Sequence, residues 1–129
     1  MQFAIRVYYE NTDAGRVVYH AQYLNFFERA RTEFLRQLDF SQQSLLQQNL
    51  AFVVKRLEID YKQPARLDDL LMVETEVSEI KKASIIFTQQ LWRGETCLSS
   101  AKVVVASVDL AKMKPVAIPE AIYRALQAV

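Results

Sequence analysis

Asp13 and Gly15 stand two residues apart in Asn11-Thr12-Asp13-Ala14-Gly15-Arg16, just ahead of a helical pattern whose start carries the only histidine, His20. A helix N-terminus has backbone N–H groups without intrahelical partners and a partial positive charge. It can hold a carboxylate, a phosphate or a developing oxyanion. A carboxylate beside such donors is what acyl transfer needs: one group delivers or activates a nucleophile, and the other stabilises the carbonyl oxygen as it gathers charge. Asp13 is the candidate carboxylate. An aspartate in a loop before a helix is ordinarily a cap or turn residue, and spacing alone does not separate the two readings. His20 is the rival base, because imidazole takes up a proton more readily than a carboxylate does. A histidine at a helix start also commonly serves local backbone groups. A carboxylate compensates for weak basicity by attacking directly or by holding a water rigidly at the carbonyl.

Other residue types are less specific. Glu28 lies two turns beyond His20 and reads as a solvated or paired helix residue, while Arg29 and Glu33 have the spacing of an i, i+4 pair, worth about 0.2–0.5 kcal/mol. Cys97 is the only cysteine, so no internal disulfide forms; its apolar, strand-like surroundings suggest a small buried hydrophobe rather than a nucleophile. One His and one Cys cannot build a usual zinc site. No G-x-S-x-G, P-loop or dinucleotide motif is present, and no metal or cofactor is expected. Lys81 and Lys82, between two expected strands, and Lys112 and Lys114, after the last one, are ordinary solubilising positions and also the local candidates for phosphate groups.

The elements that position these residues follow from periodicity. Residues 3–9 read as a strand broken by the turn formers Asn11, Thr12, Asp13 and Gly15. Over 20–38, Tyr23, Phe26, Phe27, Ala30, Phe34, Leu35 and Leu38 keep the i, i+3, i+4 spacing of a helix. Arg29, Arg31, Thr32, Glu33 and Arg36 are expected on its other side. A short helix capped by Ser41 leads to strands at 51–62, 70–80, 83–93 and 96–108, and a last amphipathic helix spans 119–127. Pro115 and Pro119 end the sheet. Tight turns between the strands demand antiparallel neighbours, so the fold class is α+β, one antiparallel sheet against one aromatic-rich helix. The sheet's edges need managing, and pairing with a second copy is one way.

Composition bounds the class. The 129 residues, 51% of them hydrophobic, fit one domain spanning 1–129, which buries roughly two-thirds of its unfolded surface. Sixteen basic against 15 acidic residues leave a net charge of +1, which excludes a general nucleic-acid binder. The N-terminus lacks the pattern of a signal peptide, and no apolar run approaches the roughly 18 residues of a membrane span. A soluble, cytoplasmic protein without membrane insertion is expected.

Residues 8–31 carry a resemblance. Tyr8-Tyr9-Glu10, Thr12-Asp13-Ala14-Gly15, Val18-Tyr19-His20, Tyr23 and Phe27-Glu28-Arg29-Ala30-Arg31 resemble the signature of the 4-hydroxybenzoyl-CoA thioesterase family of hotdog proteins, and within it the YbgC-like, Tol-Pal-associated acyl-CoA thioesterase branch. The likeness runs on through residues 51–71 and 108–119. It implies a hotdog fold, with a five-stranded antiparallel sheet wrapped around a long helix, in a homodimer or homotetramer with its site at the dimer interface. It implies hydrolysis of an acyl-CoA, with acyl carrier protein as another carrier. The family's carboxylate falls on Asp13, and its oxyanion donor, a backbone N–H, at or next to Tyr19. His20 matches the branch pattern and could orient Asp13 or a water. Gly15, Val18, Glu28, Lys81 and Lys82 are the matching substrate-binding candidates. The aromatic-proline pair of the hydroxybenzoyl enzyme is absent, with Val18 and His20 in its place, which leaves aliphatic acyl groups open.

Two other classes fit the same residues. A hotdog hydratase or dehydratase of acyl thioesters would use His20 with a carboxylate, and loss of an enoyl double bond would reveal it. A non-enzymatic binder of acyl-CoA or acyl carrier protein, or a scaffold for envelope-associated enzymes, would bind without turnover.

Overall fold

The computed structural model describes residues 1–129. Strand β1 (Gln2–Arg6) is followed by a single 3-10 turn at Tyr9–Asn11, and helix α1 spans Gln22–Gln37. The short helix α2 (Gln42–Gln47) leads into strands β2 (Leu50–Tyr61), β3 (Leu70–Ile80), β4 (Ser84–Arg93) and β5 (Thr96–Asp109). A two-residue strand β6 (Lys114–Pro115) and helix α3 (Glu120–Gln127) close the chain.

The long strands lie in the order β1-β3-β4-β5-β2, with β6 beside β5, and every pairing is antiparallel. Helix α1 packs Phe26, Phe27, Ala30 and Phe34 into one core with Ile5, Leu71, Val73, Ile85, Phe87, Leu91, Val103 and Val105 of the sheet. Register shifts insert Lys55 into β2, Ser78 into β3 and Leu98 into β5. An extra residue bends its strand and increases the local twist, which lets the sheet curl around the helix. This is the hotdog arrangement the resemblance implies.

Most expected elements stand within one or two residues of their places, and the Ser41 cap is present, its hydroxyl accepting from the Ser44 N–H at 3.1 Å. Two expectations need correction. The first strand stops at Arg6 rather than running to residue 9, because the Asn11 side chain captures the Tyr8 N–H at 2.8 Å and bends the chain into the 3-10 turn. Glu33 pairs with Arg36, not Arg29. Pro115 is the last residue of the sheet, as expected, and pairs with Val108 at its margin, where a missing N–H costs little.

Arg31 departs most from its expected place. It is not on the polar side but buried at 7% exposure. Its guanidinium donates to Gln89 Oε1 at 2.9 Å and to Glu28. The Gln89 amide nitrogen in turn donates to the Phe27 carbonyl and to Thr75 Oγ1, both at 3.0 Å. Burial pulls the Arg31 guanidinium down from its ordinary value, opposed by the Glu28 charge and hydrogen bond. A buried polar network of this kind is stable only when its members are satisfied, and Gln89 is the member that joins helix to sheet. Gln89→Ala leaves Arg31 its Glu28 partner but strips hydrogen bonds from the guanidinium, the Phe27 carbonyl and Thr75, and should therefore lower stability by about 2–3 kcal/mol, the scale for leaving buried polar groups unsatisfied. Urea unfolding would measure it, and a change under 1 kcal/mol would show that water replaces the amide.

Candidate active site

The loop carrying Asp13 is a small hairpin. Thr12 and Val18 bridge across its stem, the Asp13 N–H donates to the Val17 carbonyl at 2.9 Å, and the Arg16 N–H returns to the Asp13 carbonyl at 3.0 Å. The Asp13 carboxylate, at the exposed turn, accepts from the Gly15 N–H at 2.8 Å. A side chain at Gly15 would bring its Cβ to 3.1 Å from Asp13 Oδ1. The glycine is needed for this close approach; the left-handed backbone of the turn belongs to Arg16, with φ 65°.

The hairpin is fastened on two sides. On one, Val18 is buried and donates its N–H to the Ala65 carbonyl at 2.8 Å, while the Ala65 N–H donates to Tyr23 Oη at 2.9 Å. On the other, Asn11 is 4% exposed. Its carbonyl accepts from the Tyr19 N–H at 2.9 Å, and its amide nitrogen donates to Gln22 Oε1 at 2.9 Å in the first turn of α1. Loop and helix start are therefore one unit. By the stem's register Asp13 lies two residues from the level of Tyr19, about 7 Å along an extended chain.

The Tyr19 N–H is thus already engaged within the chain. The next two amides differ. Those of His20 and Ala21 precede α1 and have no acceptor among the chain's hydrogen bonds. The His20 ring stacks at a tilt on Tyr19, centroids 4.5 Å apart, and meets the edge of Tyr61 at 6.3 Å. It makes no hydrogen bond to Asp13, whose carboxylate is oriented by Gly15 instead.

Tyr61 was not singled out in the sequence. It donates its hydroxyl to the His20 carbonyl at 2.8 Å. Burial, and then the neighbouring Tyr23, raise its phenol above the ordinary value. Asn11 and Gln22 were also missed as a pair; nothing in their spacing shows that a turn former would be buried against the helix.

Two shallow grooves flank the unit. One is lined by Tyr9, Thr12, Asp13, Arg16, Arg66 and Leu67. The other is lined by Val18, His20, Tyr23, Tyr61, Lys62 and Pro64. Arg66, brought beside Asp13 by the Val17–Arg66 bridge, is a further cation that sequence reasoning did not connect to the site. The structure does not bring Glu28, Lys81 or Lys82 into either groove. Glu28 is committed to Arg31. Lys81 lines a hollow elsewhere with Lys55, Arg56 and Lys102. Lys82 sits exposed in the β3–β4 turn, its carbonyl held by the Ile118 N–H. Cys97 is half-buried rather than enclosed, with its Sγ 4.0 Å from Lys62 Nζ. No cluster of three or more His, Cys, Asp or Glu side chains converges anywhere in the fold, and no helix is long and apolar enough to cross a membrane.

Residues 7–126 match the model of the thioesterase-like superfamily. The chain is 68% identical to the acyl-CoA thioesterase YbgC of Haemophilus influenzae over 92% of its length and 88% of that protein's. It is 51% identical to the acyl-CoA thioester hydrolase YbgC of Escherichia coli, over 94% of this chain and 91% of that one. Among solved structures, a probable thioesterase from Bartonella henselae superposes with a TM-score of 0.88 at 40% identity, covering 92% of this chain and 98% of the other. A hotdog sheet thus coincides with matches that run over nearly the whole chain, and the chain belongs to the thioesterase-like superfamily, in its YbgC-like branch of acyl-CoA thioesterases.

Proposed function

We propose that residues 1–129 form one thioesterase domain that hydrolyses acyl-CoA to a free acid and CoA, with Asp13 as the catalytic carboxylate and the start of α1 as the oxyanion site. The observation that carries this reading is the hairpin that holds the Asp13 carboxylate on the same rigid unit as two free amides, those of His20 and Ala21. The thioester carbonyl points at the helix start. Each amide donor aimed at the tetrahedral oxyanion contributes roughly 2.7–4 kcal/mol where such donors have been removed. The donor role passes from Tyr19 to its neighbours because the Tyr19 amide is spent on Asn11.

Asp13 either attacks the carbonyl carbon, giving a mixed anhydride that water then opens, or draws a proton from the water that attacks. In both routes the C–S bond breaks, the thiolate leaves and takes up a proton, and the water's hydroxyl stays on the acid. Gly15 holds the carboxylate, and Val18 and the His20 ring wall the groove where the substrate passes. Arg16 and Arg66 supply positive charge beside Asp13, and Lys55, Lys81 and Lys102 line a separate hollow together with the Arg56–Glu58 pair, both in keeping with a carrier that bears phosphates, whether CoA or acyl carrier protein.

The same reading includes a cytoplasmic homodimer, or a homotetramer built from it. Its support is β2, a 12-residue strand with one side of its backbone unpaired and with Val53 and Val54 40% and 48% exposed. An edge of that length and character calls for a partner.

The test is thiol release from short, medium, long and aromatic acyl-CoAs, with an acylated carrier protein in parallel. Asp13→Asn should fold normally and lose roughly 10²- to 10⁴-fold in turnover; turnover near that of the unaltered protein would remove the central assignment. Gly15→Ala should shift the carboxylate by a few tenths of an ångström and cut kcat about tenfold with little change in melting temperature. An unchanged kcat would mean that the position of Asp13 is not critical.

A further inference from the structure

Tyr61 ends β2, 41 positions beyond the histidine whose carbonyl it grips. Its ring is held edge-on against Tyr23, centroids 5.0 Å apart at 85°, and Tyr23 is buried and tied to the Ala65 backbone. The hydroxyl is therefore delivered to the His20 carbonyl, 2.8 Å away, by a braced side chain. The only other donor to that carbonyl is the Tyr23 N–H, at a longer 3.3 Å.

The His20 carbonyl and the Ala21 N–H are the two ends of one planar trans peptide. Whatever fixes the carbonyl fixes the direction of the amide. A hydrogen bond accepted by the carbonyl also polarises the peptide and strengthens its N–H as a donor, since linked hydrogen bonds reinforce one another. The Ala21 amide has no acceptor within the chain, and its residue stands at the N-cap of α1.

We propose that Tyr61 is a positioning residue for thioester hydrolysis, its hydroxyl aligning and polarising the His20–Ala21 peptide so that the Ala21 N–H is presented to the oxyanion. This rests on the helix-start reading of the oxyanion site. It assigns a role to β2 that neither the Asp13 hairpin nor the helix supplies. Tyr61 acts through the peptide and not on the substrate, which predicts a selective kinetic signature.

The experiment compares the unaltered protein, Tyr61→Phe and Asp13→Asn on the same acyl-CoA. It records kcat, KM, melting temperature and the amide resonance of Ala21 in protein labelled with ¹⁵N-alanine. Tyr61→Phe keeps the ring against His20 and Tyr23 and removes only the hydroxyl. The expected result is a kcat about tenfold lower, KM within twofold, an almost unchanged melting temperature, and an upfield shift of the Ala21 amide proton. An unchanged kcat overturns the proposal, even if the resonance moves, because the coupling would then exist without serving catalysis. A kcat loss with an unmoved resonance and a lowered melting temperature also overturns it, leaving Tyr61 a packing residue. A rise in KM at constant kcat would place the hydroxyl on the substrate instead. Failure of the underlying reading looks different: the unaltered protein would cleave no thioester, or Asp13→Asn would cleave as well as the unaltered protein.

Discussion

The hydrogen bond from the Tyr19 N–H to the Asn11 carbonyl is the constraint on which the candidate site depends. Asp13 is on an exposed turn, and an exposed turn is ordinarily free to move. Asn11 removes that freedom with three contacts at once: the Tyr8 N–H before it, the Tyr19 N–H across the stem, and Gln22 in the helix. The cost is that one amide at the approach to α1 is no longer a donor. The gain is that the next two, of His20 and Ala21, hold a fixed relation to the carboxylate. Catalysis by preorganised groups needs that fixity more than it needs a third donor.

A second constraint lies beneath the site. Helix α1 cannot present its N-terminus reliably unless its body is locked against the sheet. Apolar packing of Phe26, Phe27 and Phe34 supplies most of the adhesion but little directional information. The Arg31–Gln89 contact and the Gln89 bonds to Phe27 and Thr75 tie the helix to β3 and β4 at one rotation and one height. Burying a guanidinium is expensive. Here the Glu28 carboxylate, itself 58% exposed, offsets part of that cost while reaching solvent. The helix therefore has a polar register pin in an otherwise apolar contact.

Much of the scaffold was legible in the sequence because it follows from local rules. Strand β3 was read at 70–80, as found, since alternation and flanking turn residues both bound it. Helix α1 was legible from its aromatic stripe. What could not be read has a common cause: each feature depends on a contact distant in sequence or on which way a side chain turns. Asn11 reads as a turn former, and only the fold shows it buried against Gln22. Arg31 completes the buried stripe of Tyr23, Phe27 and Phe34, but its charge places it with the polar face until Gln89 is seen opposite. Gln89 lies on the inward face with Ile85, Phe87 and Leu91, where alternation predicts an apolar residue. In the site, the resemblance singled out Asp13, Gly15 and His20. It could not show that Tyr19 would be occupied, that Arg66 would flank Asp13, or that Tyr61 would reach His20.

The position of Tyr61 links the site to the longer of the sheet's two open edges. Strand β2 pairs with β5 on one side only, and Tyr61 is its final residue. Strands brought to that free edge would extend alongside the residue that grips the His20 carbonyl. A second copy joined there, as in the proposed homodimer, would stiffen β2 over its length and restrain Tyr61 with it. Assembly and catalysis would then share a mechanical element: the edge that most needs a partner ends at the hydroxyl that orients the helix start. On this argument an isolated protomer has its carboxylate in place, because the Asn11 unit is built within one chain. Its donor is less well held, because the brace on that donor lies at the end of an edge strand. From α1 itself the His20 carbonyl receives only the Tyr23 N–H, at 3.3 Å, whereas β2 brings a hydroxyl to it from outside the helix at 2.8 Å.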